Sequence, residues 1–568
     1  MAIPNLFRRS DENTRTAWGY SFQWTPEHLS GEQMEPMKHS YDRLADECLT
    51  RLNEISPPPQ KALPRTTDRG AQNSKTGKEK PKRDLYLLLR DNADKDDKLA
   101  ELWNQVNTVP DWVDWDQIER GQEVFYRYGI PALNALGFES LLGGMGAGRI
   151  VETLARTGGF SAKIARHRMF ETTQFVFQVT MSLKNIQPGG DGFASAVRVR
   201  LLHAAVRARI LNLAKTRPDY YSVERFGVPV NDLDCISTIG SFSTLLVWLS
   251  LPRQGIFLRE QEILDYIAFW RLVAYYLGTP TKPFESPEKA RKMMESILVY
   301  EVNPTEMSKI LANNIITSLE NTPPAWGSRG FLEATARWLN GKELSDRLGI
   351  GTPGYYYYGL VLGYCIFVSL WCYVQRTFLY LDRRHIARMR RHFWKIILDE
   401  KIGLGEETKF DFKYVPGYDL TTEQGGKVER IKQNFGIELL GFLGLAGATV
   451  TTAAMGTIGY VTYLRAQWGW KLMEILASVT IGFSQLPSFN SILGSSTTNY
   501  PFESSLHGLT NPATSLICED SKSSSRLRGC FKSRNSHALF WFVGARNEGL
   551  KQSELQPRSP VSTPHNTR

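Results

Sequence analysis

From Asp84 to about Asp419 apolar positions recur every three or four residues, segment after segment, the spacing of helices that each bury one face. DLYLLLRDNADKDDKLAELWNQV (84–106) and RVRLLHAAVRARILNLAK (198–215) show it most clearly, and DWVDWDQIERGQEVFYRYG (111–129) opens with acidic residues suited to a helix start. EQEILDYIAFWRLVAYYLG closes on Gly278 with Thr279 and Pro280 behind it, a helix stop. Strand alternation is scarce: KFDFKYVPGYDL, near 409–420, reads as a short hairpin edge. Residues 1–56 carry only weak helical patterning around Trp18, Phe22, Trp24 and Leu44. The pattern predicts an all-α protein.

Two uncharged stretches are long enough to cross a bilayer, which takes roughly 20 residues. Ile350 to Gln375 reads as a buried core helix or as a span. Four tyrosines stand near its start and a basic block, Arg376 to Lys395, follows it. As a span, its C-terminal side would face the cytoplasm. Leu439 to Leu464 is the stronger span, and its spacings Gly441-x-x-Gly444 and Gly456-x-x-Gly459 suit close helix contact. Between Ser56 and Arg83 the chain is rich in Pro, Lys and Thr and poor in large apolar side chains, so it cannot offset its own ordering entropy. The expected organisation is an N-terminal helical extension (1–56), a basic linker (57–83), a helical domain (84–419), a membrane-associated segment (420–484) and a disordered tail (485–568).

Composition narrows the function classes. The net charge of +10 sits largely in two blocks, Lys61 to Arg83 and Arg376 to Lys395, neither with the aromatic interleaving of a nucleic-acid binder. No nucleic acid is expected; an anionic membrane surface suits the second block. Six scattered cysteines make neither a disulfide framework nor a zinc site. No secretory signal precedes the first helices, which points to reduced thiols on the cytoplasmic side. Nucleophile-elbow, P-loop, HExxH and kinase signatures are missing. The glycines at 143, 144, 146 and 148 lack a strand before them, so a turn or packing role is expected for them.

Two sets of residues offer chemistry. His203 lies among Val199, Leu202 and Val206 at helical spacing, with Ala204 and Ala205 keeping the helix surface low beside it. Arg200 and Arg207 share its face at i−3 and i+4, placed to meet acidic groups of a ligand such as haem propionates. A helix-borne neutral imidazole is a proximal ligand for haem iron; equally, it is a hydrogen-bonded core residue. Upstream, Arg168 and Thr172 share a helix face, and the Thr157-Gly158-Gly159 turn is expected to bring Glu152 toward them. A carboxylate set near an apolar pocket would have a raised pKa and suit proton abstraction; the alternative is an ordinary Glu–Arg pair.

In these stretches the chain resembles the rubber-oxygenase catalytic family, which includes latex clearing proteins and fungal endoplasmic-reticulum-bound oxygenases acting on prenyl chains. The resemblance rests on DWVDWDQIERGQEVFYRYG, the TGG turn, RHRMFETTQFV, RVRLLHAAVR, FGVPVNDLDCISTIGSFS and EILDYIAFWRLVAYYLGTP, in family order from about 110 to 280. It implies haem b held by His203, Arg168 and Thr172 in the distal pocket, and Glu152 as base. The substrate would be a lipophilic isoprenoid cleaved at a C=C bond with O2, at the endoplasmic-reticulum membrane with the catalytic domain facing the cytoplasm. Where some latex clearing proteins carry an iron-capping lysine, this chain has Glu171, so that resting state is not available to it. The rival readings are a haem peroxidase or monooxygenase acting on another metabolite, and a haem-free helical membrane protein.

Overall fold

A computed structural model describes residues 11–58, 83–410, 425 and 436–484. The expected linker (beyond its ends), the hairpin of 411–420 and the tail from 485 lie outside the described residues. The chain divides into two compact units, Met1–Thr449 and Val450–Arg568.

Among the described residues the first unit is all-α apart from one hairpin. Its longer helices begin with α1 (Arg43–Ile55), α2 (Leu85–Asn92), α3 (Asp97–Asn107), α4 (Trp115–Arg127), α5 (Gly148–Thr157), α6 (Ala165–Thr180) and α7 (Asp191–Thr216). They continue with α8 (Asp232–Phe242), α9 (Glu260–Tyr276), α10 (Pro287–Tyr300), α11 (Glu306–Leu319), α12 (Arg329–Arg347), α13 (Tyr355–Thr377) and α14 (Leu379–Leu398). A last helix, α15 (Glu438–Ser484), begins in the first unit; from Val450 it belongs to the second.

Local chemistry accounts for many of the boundaries. Asp42, Asp84, Asp96 and Asp114 are the N-caps of α1 to α4, each accepting backbone N–H bonds from the first turn. Gly278 follows the end of α9 at φ +69, a conformation glycine adopts freely. The main core gathers α4, α6, α7 and α9 around fully buried Phe125, Tyr126, Phe177, Phe193, Phe269 and Trp270. Gly121 of α4 sits so close to the backbone at Asp265 of α9 that a Cβ would not fit. Cβ atoms at Gly143, Gly146 and Gly148 would likewise collide with Asn340, Val302 and the Asn303 carbonyl, so these glycines serve packing.

In the N-terminal segment the helical reading holds at Leu44, on α1, and is corrected around Trp18 and Phe22. Thr14–Ala17 (β1) and Tyr20–Gln23 (β2) form an antiparallel hairpin, with Trp18 and Gly19 both at positive φ in the turn. Each strand has four residues, too few for alternation to stand out from noise. The hairpin is fastened to α10: Trp18 Nε1 donates to the Leu298 carbonyl at 2.9 Å, and Tyr20 donates to Glu295 at 2.9 Å. His28, just after it, meets the other Glu295 oxygen at 2.8 Å.

Three helical stretches are apolar and long enough to cross a membrane: Asp232–Arg253, Tyr355–Thr377 and Glu438–Ser478. They differ in burial. Half of the first is inside the protein, whereas only 11% of the third is. Helix α13 is intermediate: one side packs on α12 and α14, and the other is open. Gly441 and Gly444 at the start of α15 press against the backbone at Leu360 and Gly363 of α13, leaving no space for a Cβ. The first of the two glycine spacings is therefore a helix–helix seam; Gly456 and Gly459 have nothing near them.

Candidate active site

His203 is in the middle of α7, the longest helix of the core. Helix α6 packs along one side of α7 and α1 along the other. The ring is deeply set yet still partly accessible, and among the described residues neither nitrogen has a hydrogen-bond partner. Burial pushes its pKa down to about 4, helped by the charges of Arg207 and Arg168. A neutral imidazole with an unused lone pair is the state a metal ligand requires.

Arg168 of α6 is thus brought within electrostatic reach of His203. The accessible residues of the two helices show where room is left. Phe175, Val176 and Val179 of α6 are buried, but one turn earlier Thr172 is exposed, and Arg168, Met169 and Thr173 are partly so. On α7 His203 and Val199 are partly accessible, as are Arg198, Ala205, Ala208 and Arg209. The first half of α6 is thus more open than its second half, and the charge of Arg168 is felt at His203.

The remaining predicted residues have partners that spacing did not indicate. Arg200 makes a two-pronged ion pair with Asp42 at 2.6 and 3.0 Å and donates to Gln105 at 2.9 Å. Only its buried Nη1 lacks a partner. Arg207 is fully used: Nε and Nη2 bond Asp46 at 2.7–3.0 Å, and Nη1 donates to the Val230 carbonyl at 2.7 Å. Its guanidinium is also 4.8 Å from the centre of the Tyr41 ring. These carboxylates stand on α1 and at its cap, and Arg198 pairs in the same way with Asp84, the cap of α2, at 2.8 Å. Ala204, expected to leave space, is filled against Ala45 and Leu49 of α1; Ala205 packs at the edge of that cluster.

Glu152 does not reach Arg168. Its Oε2 is 2.6 Å from Nη1 of Arg156, one turn along the same helix, and the Arg156 guanidinium lies over Tyr220 and Tyr221. The reason is local: Arg156 is at i+4, the nearest cation on that face, whereas the chain runs through residues 158–164 before α6 begins. Arg168 pairs instead with Glu171 at 3.0 Å. Thr172 turns its hydroxyl back to the Arg168 carbonyl at 3.1 Å.

Glu171 had been noted only as the position of a missing lysine. It is almost completely buried, and His167 stands 3.6 Å away. Thr408 donates its hydroxyl to it at 3.2 Å, and the Thr408 backbone N–H and carbonyl both bond the side-chain amide of Gln174. Burial would raise its pKa, but His167 and Arg168 outweigh that and hold it below the usual carboxylate value. The spacing Arg168-x-x-Glu171 was visible in the chain; its burial was not. Among the described residues no group of three or more His, Cys, Asp or Glu could hold a bare metal ion.

Residues 131–358 match the family model described as "ER-bound oxygenase mpaB/B'/Rubber oxygenase, catalytic domain". Over these residues the chain is similar to the rubber-oxygenase catalytic family. Glu152, Arg168, Thr172, Arg200, His203 and Arg207 all lie inside the match; Asp42, Asp46 and Thr408, which support them, lie outside it. A solved structure of latex clearing protein in the closed state is similar to the chain, with 16% identity and a TM-score of 0.47 over 62% of this chain and 91% of that one. A likeness at that level carries no argument about the site. No curated protein matches the chain. The match to the rubber-oxygenase family model supports an oxidoreductase of the oxygenase type.

Proposed function

We propose that the protein is a haem-b-dependent oxygenase that cleaves a C=C bond of an isoprenoid or prenylated lipophilic substrate with O2. One observation carries the reading. His203 is a partly accessible imidazole, kept neutral by burial, without a hydrogen-bond partner among the described residues and within electrostatic reach of Arg168. A satisfied core histidine would have spent its nitrogens on neighbours. The residues fit haem: His203 would supply the nitrogen that holds the iron, and Arg200 would offer its unpartnered Nη1 to a propionate. Arg207, with every nitrogen engaged, would act on the site through its charge alone.

Haem, when bound, supplies the activation of O2. The chain supplies the rest. Arg168, held by Glu171, presents a fixed positive charge where negative charge develops on the reacting oxygen. Glu152 has Oε2 tied to Arg156, which leaves Oε1 to take an allylic proton from the substrate. The exposed apolar helix α15, from Leu439 onward, would anchor the enzyme in the endoplasmic-reticulum membrane, where a water-insoluble substrate collects.

Detergent-extracted protein, expressed with sufficient haem, should give a pyridine haemochrome and a Soret band, and His203→Ala should remove or displace that band. A colourless protein, or a band indifferent to His203→Ala, ends the assignment. Incubation with a prenylated compound should yield aldehyde products. Hydroxylated products alone would favour a monooxygenase.

A further inference from the structure

Arg198, Arg200 and Arg207 of the core are held by carboxylates, but the arginines on the outer face of α14 are not. Arg383, Arg384 and Arg391 are exposed, and among the described residues none has an acidic partner. Arg384 donates only to the Tyr380 hydroxyl, at 2.6 Å. The acid within α14, Asp382, is buried and bonded two-pronged to Arg127 of α4 at 2.9–3.1 Å. Nothing on the helix therefore offsets its outward charge. Lys395, also exposed, continues the row one turn beyond Arg391.

The helix is entered through a sharply apolar corner. Phe378, Leu379 and Tyr380 are 59%, 64% and 67% exposed, and Leu370 and Val374 of α13 lead up to them at 61% and 52%. The spacing of Leu362, Ile366, Leu370 and Val374 keeps this face continuous back along α13. At the other end the face meets the first turns of α15, where Phe442 and Leu443 are also open beside the Gly441–Gly444 seam. Helix α13 is not a detached span: Tyr373 donates to the Gly255 carbonyl at 3.1 Å, and Arg376 donates to Tyr128 and the Phe257 carbonyl at 2.8 Å. Its open face is thus a rigid part of the catalytic unit.

We propose that the α13–α14 corner docks on a bilayer rich in anionic phospholipid, Phe378, Leu379 and Tyr380 entering the boundary between headgroups and acyl chains, and Arg383, Arg384 and Arg391 binding headgroup phosphates. An apolar wedge followed within one turn by unpaired arginines is the chemistry of an interfacial contact. Apolar surface alone would suit a second copy of the chain equally well. The uncompensated charge selects an anionic surface, since two copies would bring like charges together. The contact is separate from the anchoring by α15 and does not depend on the haem reading. It would hold the catalytic unit in one orientation at the surface from which substrate arrives.

The test uses the full chain in nanodiscs, with p-benzoyl-phenylalanine placed at Leu379. Irradiation in discs of phosphatidylcholine plus phosphatidylserine should give an adduct of phospholipid mass. The yield should fall at least tenfold in discs of phosphatidylcholine alone, or when Arg383, Arg384 and Arg391 are all changed to Glu, roughly a hundredfold loss of surface affinity being expected from three charges. All three side chains are exposed, so the triple variant should keep its helicity. Lipid adducts of equal yield with and without anionic lipid or arginines would overturn the charge reading. A crosslinked dimer, or no adduct in either disc, would overturn the docking itself.

Discussion

The arginines of α7 and those of α14 have the same chemistry and opposite surroundings. Arg198, Arg200 and Arg207 each meet a carboxylate delivered by α1, α2 or their caps, with distances down to 2.6 Å. Arg383, Arg384 and Arg391 meet none among the described residues. A buried guanidinium without an anion is costly, so the core had to provide partners; a solvated one is tolerated and remains free for an external partner. The paired set orients α7, and with it His203. The free set is left to face whatever the protein touches.

The contrast is broken most directly at its paired end. Arg207→Ala leaves Asp46 without its cation and is expected to cost about 3–5 kcal/mol, read as a lower midpoint in urea unfolding. A loss under 1 kcal/mol would mean that this pair does not differ from a surface one. Helix α14 carries the contrast within itself, because its inner face holds His385, buried, with Nδ1 unpartnered and its pKa pushed down to about 4, mainly by burial. The sign follows from that depression. The folded form stays neutral while the unfolded chain takes up a proton near 6.5, so stability is complete above that pH and is lost as pH falls toward 4. The loss is about 3 kcal/mol at most. Glu139 and Asp234, raised by burial to about 7 and about 6, push the other way. The clean measurement is the difference between the protein and His385→Asn, which should shrink between pH 6.5 and 4.

Glu152→Gln keeps the bond from Arg156 to the side-chain carbonyl oxygen and removes the base, so turnover should fall roughly 10²-fold with the Soret band intact. Near-normal turnover would leave Glu152 as the partner of Arg156 and nothing more. Glu171→Gln sharpens the question of what holds Arg168. Weakening a charged hydrogen bond costs about 1.5–3 kcal/mol. Turnover should drop about tenfold or more, and in the ferrous carbonyl form the C–O stretch should shift, since that frequency senses a nearby cation. At the free end of the comparison, Arg391→Ala should change stability by less than about 0.5 kcal/mol in detergent.

How far the site was legible follows the reach of each interaction. The glycine seam Gly441-x-x-Gly444 could be read because its meaning lies in side-chain size at fixed helical spacing. His203 stood out for the same reason: apolar neighbours one turn away already put the ring inside. The pairing of Glu152 was misjudged through preference for a distant partner over the i+4 cation Arg156, which the same helical geometry favours. The carboxylate partners of Arg200 and Arg207 could not be read from spacing, because they lie 158 and 161 residues earlier. Asp42 and Asp46 look like ordinary helix-start residues until α1 is laid across α7.

The sequence by itself determined the helices, most of their ends, the apolar stretches and the family resemblance, since each depends on side chains within a turn or two. Tertiary structure decided which charges are spent and which remain free. An arginine's fate depends on whether packing brings a carboxylate within about 3 Å of it, a matter of where whole helices come to rest.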